Sequence, residues 1–105
     1  MLTNIFGNGA GITPLTCQFG NKPVRIKHIE VGATGGTYAW HLIDANIWVQ
    51  NRSVTPFDAV SIDHLIGFDR VVSHPDIEIY DPMLLVVYLT GLNGTEQTYL
   101  KLVTE

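Results

Sequence analysis

The chain has almost no cysteine, since Cys17 is the only one among its 105 residues. A single cysteine excludes an intramolecular disulfide, and it excludes a zinc site built from several cysteines of one chain. The flanking residues Thr16 and Gln18 offer no base that would generate a thiolate. We therefore interpret Cys17 as a small hydrophobic residue rather than a nucleophile.

Charge is also scarce, because Asp, Glu, Lys and Arg together make up 15% of the chain. An average soluble domain carries about 25%. The formal net charge is −4, and the six cations are spread along the sequence. Phosphate recognition requires a concentrated basic surface, so we expect no nucleic acid partner, and an acidic chain has no attraction to an anionic membrane.

Long hydrophobic segments are missing too. The longest uninterrupted apolar run is 83–89, far below the roughly 20 residues that a membrane-spanning helix requires. The first residues lack the basic and apolar segments of a signal peptide, so we expect a cytoplasmic protein. The glycine-rich segment 7–11 has no strand before it and a proline soon after it, which argues against a phosphate loop, and no cofactor is predicted.

Apolar residues are plentiful, at 46% of the chain. The length fits one domain covering residues 1–105. Few charges are available to cover the surface of so small a domain, so part of that surface is predicted to lie between subunits. We expect a homo-oligomer.

The C-terminal third contains the strongest local signal for a β-hairpin. Two β-favouring runs, 83–89 and 95–103, flank the dipeptide Asn93-Gly94, which favours a two-residue turn because both turn residues take positive φ. This register places Tyr88 opposite Tyr99. Both faces of the predicted hairpin are mostly apolar, which indicates burial on both sides or contact with another subunit.

A second hairpin is predicted around Gly35-Gly36. The register places Glu30 opposite His41 and His28 on the same face, with a β-bulge near 27–28 where the alternation of the strand slips. Beyond this hairpin, the segment 44–46 is expected to bend or break the long run that contains it.

The segment 57–68 fits two structures. Its apolar residues recur near helical spacing after Thr55-Pro56, a typical helix start, but Val60, Ile62, Ile66 and Phe68 also alternate as a strand does. We favour a short helix. Short strands are expected at 69–73 and 76–81, and the glycine- and proline-rich segment 1–23 is expected to form an irregular N-terminal arm with a short strand at 15–19.

Together these elements predict an α+β fold dominated by antiparallel sheet. We expect five to seven strands with one short helix, arranged as a curled sheet or small barrel.

Two polar groups are candidates for chemistry. His28, Glu30 and His41 share one face in the predicted register, and two imidazoles with one carboxylate suit iron, manganese or zinc. The simpler interpretation is an exposed ion pair between Glu30 and His41. The acids and histidines of 57–81 form the second group, and we interpret them as a solvated acidic surface because no nucleophile motif surrounds Ser61 or Ser73.

Aromatic residues are the remaining candidates. Aromatic residues on strands often simply fill the core, and we favour that interpretation for most of them. As candidates for a site, Trp40, Trp48, Tyr88 and Tyr99 are predicted as ligand-binding or interface residues, since Trp and Tyr provide large contact areas with little entropy loss. We therefore expect a non-enzymatic homo-oligomeric binding or assembly module, whose partners are itself and a small molecule or another protein. The alternatives are a small metal-dependent or acid/base enzyme that uses His28, Glu30 and His41, and a structural subunit of a larger particle.

Overall fold

The computed structural model describes residues 2–10, 13–20, 22–36, 40–51, 58–90 and 93–105. These residues form nine strands: β1 (Leu2–Ala10), β2 (Thr13–Gln18), β3 (Val24–Thr34), β4 (Leu42–Asn51), β5 (Asp58–Phe68), β6 (Arg70–Ser73), β7 (Ile77–Ile79), β8 (Met83–Thr90) and β9 (Asn93–Thr104).

The strands build two open antiparallel sheets. The first sheet has the order β1-β9-β3-β6, with β7 also paired to β3, and the second sheet has the order β2-β8-β4-β5. Strand pairing joins distant parts of the chain, since β1 pairs with β9 and β2 pairs with β8. The predicted antiparallel β-rich single domain is confirmed. The finer architecture differs, because the described strands number nine and the sheets do not close into a barrel.

The two sheets pack face to face over one hydrophobic core. Fully buried side chains come from both sheets, and they occupy alternate positions as a pleated strand requires. In the second sheet they are Ile43, Ala45, Ile47, Leu85, Val87 and Leu89, and in the first sheet they include Ile26, Ile29, Val31, Ile79, Leu100 and Leu102. Because one face of each strand is committed to this core, the opposite residues are presented on the outer faces.

The predicted C-terminal hairpin is wrong. β8 lies in the second sheet between β2 and β4, whereas β9 lies in the first sheet between β1 and β3. Asn93 and Gly94 belong to β9 itself. The hairpin looked apolar on both faces because β8 is interior, with Leu85, Val86 and Val87 all buried in succession. Full-length pairing with other strands therefore prevails over the local turn preference.

The predicted hairpin at Gly35-Gly36 is wrong for the same reason, because β3 and β4 belong to different sheets. Both glycines do take the positive φ that a two-residue turn requires, at 70° and 81°. The register of β3 shifts between Ile26 and His28, which confirms the predicted bulge. β4 runs without interruption through 44–46, so the expected break is absent there.

The predicted helix at 57–68 is wrong over its described part. Asp58–Phe68 forms β5, which pairs with β4 along its length, and no helix occurs within the described residues. The predicted helix start, residues 55–57, lies outside them. The strand interpretation was the correct one, because pairing with β4 satisfies the backbone of this segment, with one register shift opposite Ile47 and Trp48.

The N-terminal segment is also more regular than expected. Residues 2–10 and 13–18 form β1 and β2, so 1–23 is not an irregular arm over its described part. Glycines have low strand propensity, but β9 and β8 supply hydrogen-bonding partners along both segments, and tertiary pairing outweighs propensity. The short strand expected at 15–19 corresponds to β2. The strands expected at 69–73 and 76–81 are β6 and β7.

Candidate functional site

The outer face of the second sheet holds the most conspicuous surface of the molecule. Along β4, Ile43, Ala45 and Ile47 point into the core. The intervening residues therefore point outward, because successive side chains of a strand alternate. These outward residues are Asp44, Asn46, Trp48 and Gln50. They form a row of polar and aromatic side chains along the middle of this face.

A groove of ≈ 500 Å³ lies on this face. Its lining comes from three neighbouring strands: Asn46, Trp48 and Gln50 of β4, Ala59 of β5, and Tyr88 and Thr90 of β8. The register explains the convergence, since Asn46 is paired with Tyr88 and Gln50 with Ala59. We call this feature the sheet groove. None of the described residues that line it is charged.

Within the sheet groove, Gln50 and Tyr88 hold each other in place. The Gln50 Nε2 donates a hydrogen bond to the Tyr88 hydroxyl over 3.2 Å. This contact fixes the tip of the Tyr88 ring relative to β4. The Gln50 amide keeps its carbonyl oxygen and a second N–H for other partners. The groove therefore combines an oriented aromatic ring with amide groups that both donate and accept.

A hydrogen-bonded pair of Asp44 and His64 flanks the sheet groove beside Asn46. The Asp44 Oδ1 lies 2.6 Å from the His64 Nε2. His64 is paired with Asn46 in the register, and Asp44 is paired with Thr90 of the groove lining. Both partners are partly exposed to solvent, so a pair of this kind contributes little to stability.

A cluster of exposed apolar residues occupies the other end of the same face. Leu42 and Phe68 are direct cross-strand partners, and Asp44 is paired with Ile66. The Trp40 and Phe68 rings lie 5.6 Å apart between centroids. We call the four residues the apolar patch: Trp40 is 67% exposed, Leu42 46%, Ile66 63% and Phe68 62%. Four large apolar side chains this exposed and this close together are unusual on a monomer surface.

His28, Glu30 and His41 do not converge. The register that united them is wrong, and each has other neighbours. The His28 ring meets His74 edge to face at 5.1 Å. Glu30 accepts a hydrogen bond of 2.8 Å from the Tyr99 hydroxyl. No cluster of three or more His, Cys, Asp or Glu that could hold a metal ion occurs in the part of the chain that is described.

His41 is a structural residue rather than an exposed one. It is 7% exposed, and its Nε2 donates to the Gly35 carbonyl over 2.6 Å. Its backbone N–H donates to the Asp69 Oδ1 over 3.1 Å, and its Nδ1 lies 3.3 Å from the same oxygen. The predicted Glu30–His41 ion pair is therefore wrong. Asp69 has a φ of 66° and Gly35 a φ of 70°, so the His41 ring links two residues that both have a left-handed backbone conformation.

The acids and histidines of 57–81 also separate into small groups. The Ser73 hydroxyl donates to the Asp63 Oδ2 over 2.7 Å. His64 is paired with Asp44 instead of with a hydroxyl. Because the serine donates to a carboxylate and not to an imidazole, this arrangement does not activate a nucleophile in the way that a serine–histidine pair does.

Of the four predicted aromatic residues, Trp48 and Tyr88 come together in the sheet groove, and Trp40 lies in the apolar patch. Tyr99 lies in the first sheet and does not meet Tyr88. Burial, reinforced by the hydrogen bond to Glu30 and by its charge, raises the pKa of Tyr99 to about 12. Cys17 is half-buried against the core, and burial raises the pKa of its thiol, which lowers its reactivity.

Several residues of this face were not predicted as site residues. They are Asn46, Gln50 and Thr90 of the groove, and Leu42, Ile66 and Phe68 of the patch. The alternation from 43 to 50 contained the signal, because the apolar odd positions assign the even ones to solvent.

No helix among the described residues has the length and apolar character needed to cross a membrane. No known protein family matches the sequence, and the comparison with curated proteins likewise finds no match. Any functional conclusion therefore depends on the geometry of the sheet groove and the apolar patch.

Proposed function

We propose that the protein is a non-enzymatic binding and assembly module that acts as a homo-oligomer, with the apolar patch as the centre of the contact between copies. The single observation that carries this proposal is the exposure of Trp40, Leu42, Ile66 and Phe68 together on one sheet face. Covering such a surface with a second copy removes apolar area from water, which is the main favourable contribution to association.

The composition of the patch supports a protein partner. Aromatic residues at the centre of an interface provide much of its binding energy, and the Trp40–Phe68 pair supplies two of them. A second copy presents the same patch, so the contact is self-complementary about a two-fold axis. The patch alone is small, and a stable interface would extend along β4 and β5 over neighbouring polar residues.

The test measures molar mass by light scattering across micromolar concentrations. We expect the wild-type protein to be larger than a monomer. Phe68→Asp should shift the mass to that of the monomer, because a carboxylate buried in an apolar contact is strongly unfavourable. Far-UV circular dichroism and thermal melts confirm that the variant remains folded.

Val103→Asp is the matched control. Val103 is an exposed apolar residue of β9 in the first sheet, away from the apolar patch, and its replacement should leave the oligomer intact. A monomeric wild-type protein at all concentrations would overturn the proposal. If Val103→Asp dissociates the oligomer and Phe68→Asp does not, the interface lies on the first sheet instead.

A further inference from the structure

We propose that the sheet groove binds a neutral carbohydrate, with Trp48 and Tyr88 contacting the sugar rings and Asn46 and Gln50 bonding to their hydroxyl groups. This inference depends on the proposed role as a binding module, but not on the oligomeric state. The groove and the apolar patch adjoin on this sheet face, where Asp44 is paired with Thr90 of the groove and with Ile66 of the patch, so binding and oligomeric state are measured separately.

The described lining of the sheet groove carries no charge. Its six residues are Asn46, Trp48, Gln50, Ala59, Tyr88 and Thr90. A ligand that carries phosphate or carboxylate groups would find no cation among these residues, and the adjoining His64 imidazole is already bonded to Asp44. The net charge of −4 adds a further unfavourable interaction with anions. The groove therefore selects a neutral ligand.

The same lining combines aromatic rings with amides. A pyranose ring has C–H groups on its faces and hydroxyl groups around its rim. Aromatic faces carry partial negative charge and attract the C–H groups. Hydroxyl groups both donate and accept, and so do the Asn46 and Gln50 amides and the Thr90 hydroxyl. A flat aromatic ligand would also stack, but it would leave most of these polar groups without partners.

The groove side chains are arranged at a regular spacing along β4. Asn46, Trp48 and Gln50 occupy alternate positions, so their side chains are spaced roughly 7 Å apart on one face. Tyr88 stands beside this row, oriented by its hydrogen bond to Gln50. The volume of ≈ 500 Å³ lies inside the usual range of small-molecule sites. An aromatic ring between two amides along one strand can contact a sugar ring and its hydroxyl groups together.

The chain offers a direct reporter, because it contains two tryptophans, Trp40 and Trp48. Trp40→Phe leaves Trp48 as the sole source of tryptophan fluorescence. The probes are neutral hexasaccharides of glucose in α- and β-linkage, of N-acetylglucosamine, of mannose and of galactose, with heparin as the anionic comparison. We expect at least one neutral probe to shift the Trp48 emission saturably, and heparin to produce no shift.

Variants locate the site. Trp48→Ala should weaken binding of that probe at least tenfold, measured by calorimetry, and Asn46→Ala and Gln50→Ala should each weaken it several-fold. Gln97→Ala is the matched control for Gln50→Ala, because Gln97 is exposed on β9 in the other sheet, and it should bind normally. Circular dichroism checks folding, and if Trp48→Ala unfolds, the two amide variants provide the same test.

Three results would overturn the inference: no response to any neutral probe, binding of heparin alone, or full affinity in all three groove variants. Light scattering on the same samples separates this inference from the proposed oligomer. Sugar binding by a monomeric protein would reject oligomerisation and keep the carbohydrate site. An oligomer that binds none of the neutral probes would keep the proposed oligomerisation and reject the carbohydrate site.

Discussion

The Tyr99 ring lies directly across Gly32, its cross-strand partner on β3. A Cβ atom at position 32 would overlap the Tyr99 ring and hydroxyl. The ring can lie flat on β3 because that side chain is missing, and its hydroxyl then reaches the Glu30 Oε2 at 2.8 Å. Glu30 lies two residues before Gly32 and therefore on the same face. Glycine at this position allows a largely buried carboxylate to be hydrogen-bonded.

Gly32→Ala should therefore destabilise the protein by about 1–3 kcal/mol, because the ring must move and its hydrogen bond to Glu30 is weakened. Urea denaturation measures the change in the free energy of unfolding. Gly20→Ala is the control, since nothing lies within 4 Å of a Cβ at that position. Equal effects of the two substitutions would show that the Tyr99 ring does not occupy this place.

Tyr99→Phe should lower stability in a pH-dependent way. The pKa of Tyr99 is raised from 10.0 to about 12 in the folded protein, so its contribution is complete below pH 10 and is lost as the pH rises towards 12. We expect wild type to exceed Tyr99→Phe by about 1–3 kcal/mol at pH 8. This difference should shrink between pH 10 and 12. Denaturation curves over this range provide the measurement, and a constant difference would contradict the assignment.

His41→Ala should cost about 2 kcal/mol or more, because it removes a buried ring and leaves the Gly35 carbonyl without its donor. His74→Ala serves as the comparison, since His74 is exposed, and its cost should stay within about 0.5 kcal/mol. Thermal melts of both variants decide the matter. Similar melting temperatures would favour the exposed position that the sequence suggested for His41.

Gly35→Ala tests the backbone alone. Gly35 has a φ of 70°, and no atom lies within 4 Å of the place that a Cβ would occupy, so alanine meets no steric overlap there. The left-handed conformation should cost roughly 1–2 kcal/mol. Gly35→Asn should cost less, because asparagine tolerates this region better than alanine. Chemical denaturation measures the loss in the free energy of unfolding for both variants. A larger loss for Gly35→Asn than for Gly35→Ala would show that the left-handed conformation of Gly35 is not the source of the cost.

The sequence predicted strands better than it predicted their partners. Alternation located β7, and the phase slip located the bulge before His28, because these signals lie within a few residues of each other. The dipeptides Asn93-Gly94 and Gly35-Gly36 indicated turns, but a turn preference contains no information on which sheet receives the next strand. Packing of two apolar sheets decides that question, and it joins residues far apart in sequence.

The unknown strand partners also limited the prediction of the candidate site. Trp48 and Tyr88 were recognised from their residue type, but the wrong register placed Tyr88 beside Tyr99. Their meeting depends on the pairing of β4 with β8, which no local pattern reveals. For β5, helical and alternating patterns both fitted 57–68, and the backbone partner offered by β4 decided between them.

The pairing of β8 and β9 with strands from earlier in the chain has a consequence for folding. Among the described strands, β4 and β5 are the single paired strands that follow one another in sequence. By contrast, β1 pairs with β9, β2 pairs with β8, and β3 pairs with β9 as well as with β6 and β7. Closing such long loops before any contact forms is entropically costly, so folding should be slow for a domain of this size. On the ribosome, neither sheet can be completed until β8 and β9 have emerged, so the strands made earlier lack these partners until then. The newly made chain is thus most prone to aggregation before β8 and β9 are available for pairing.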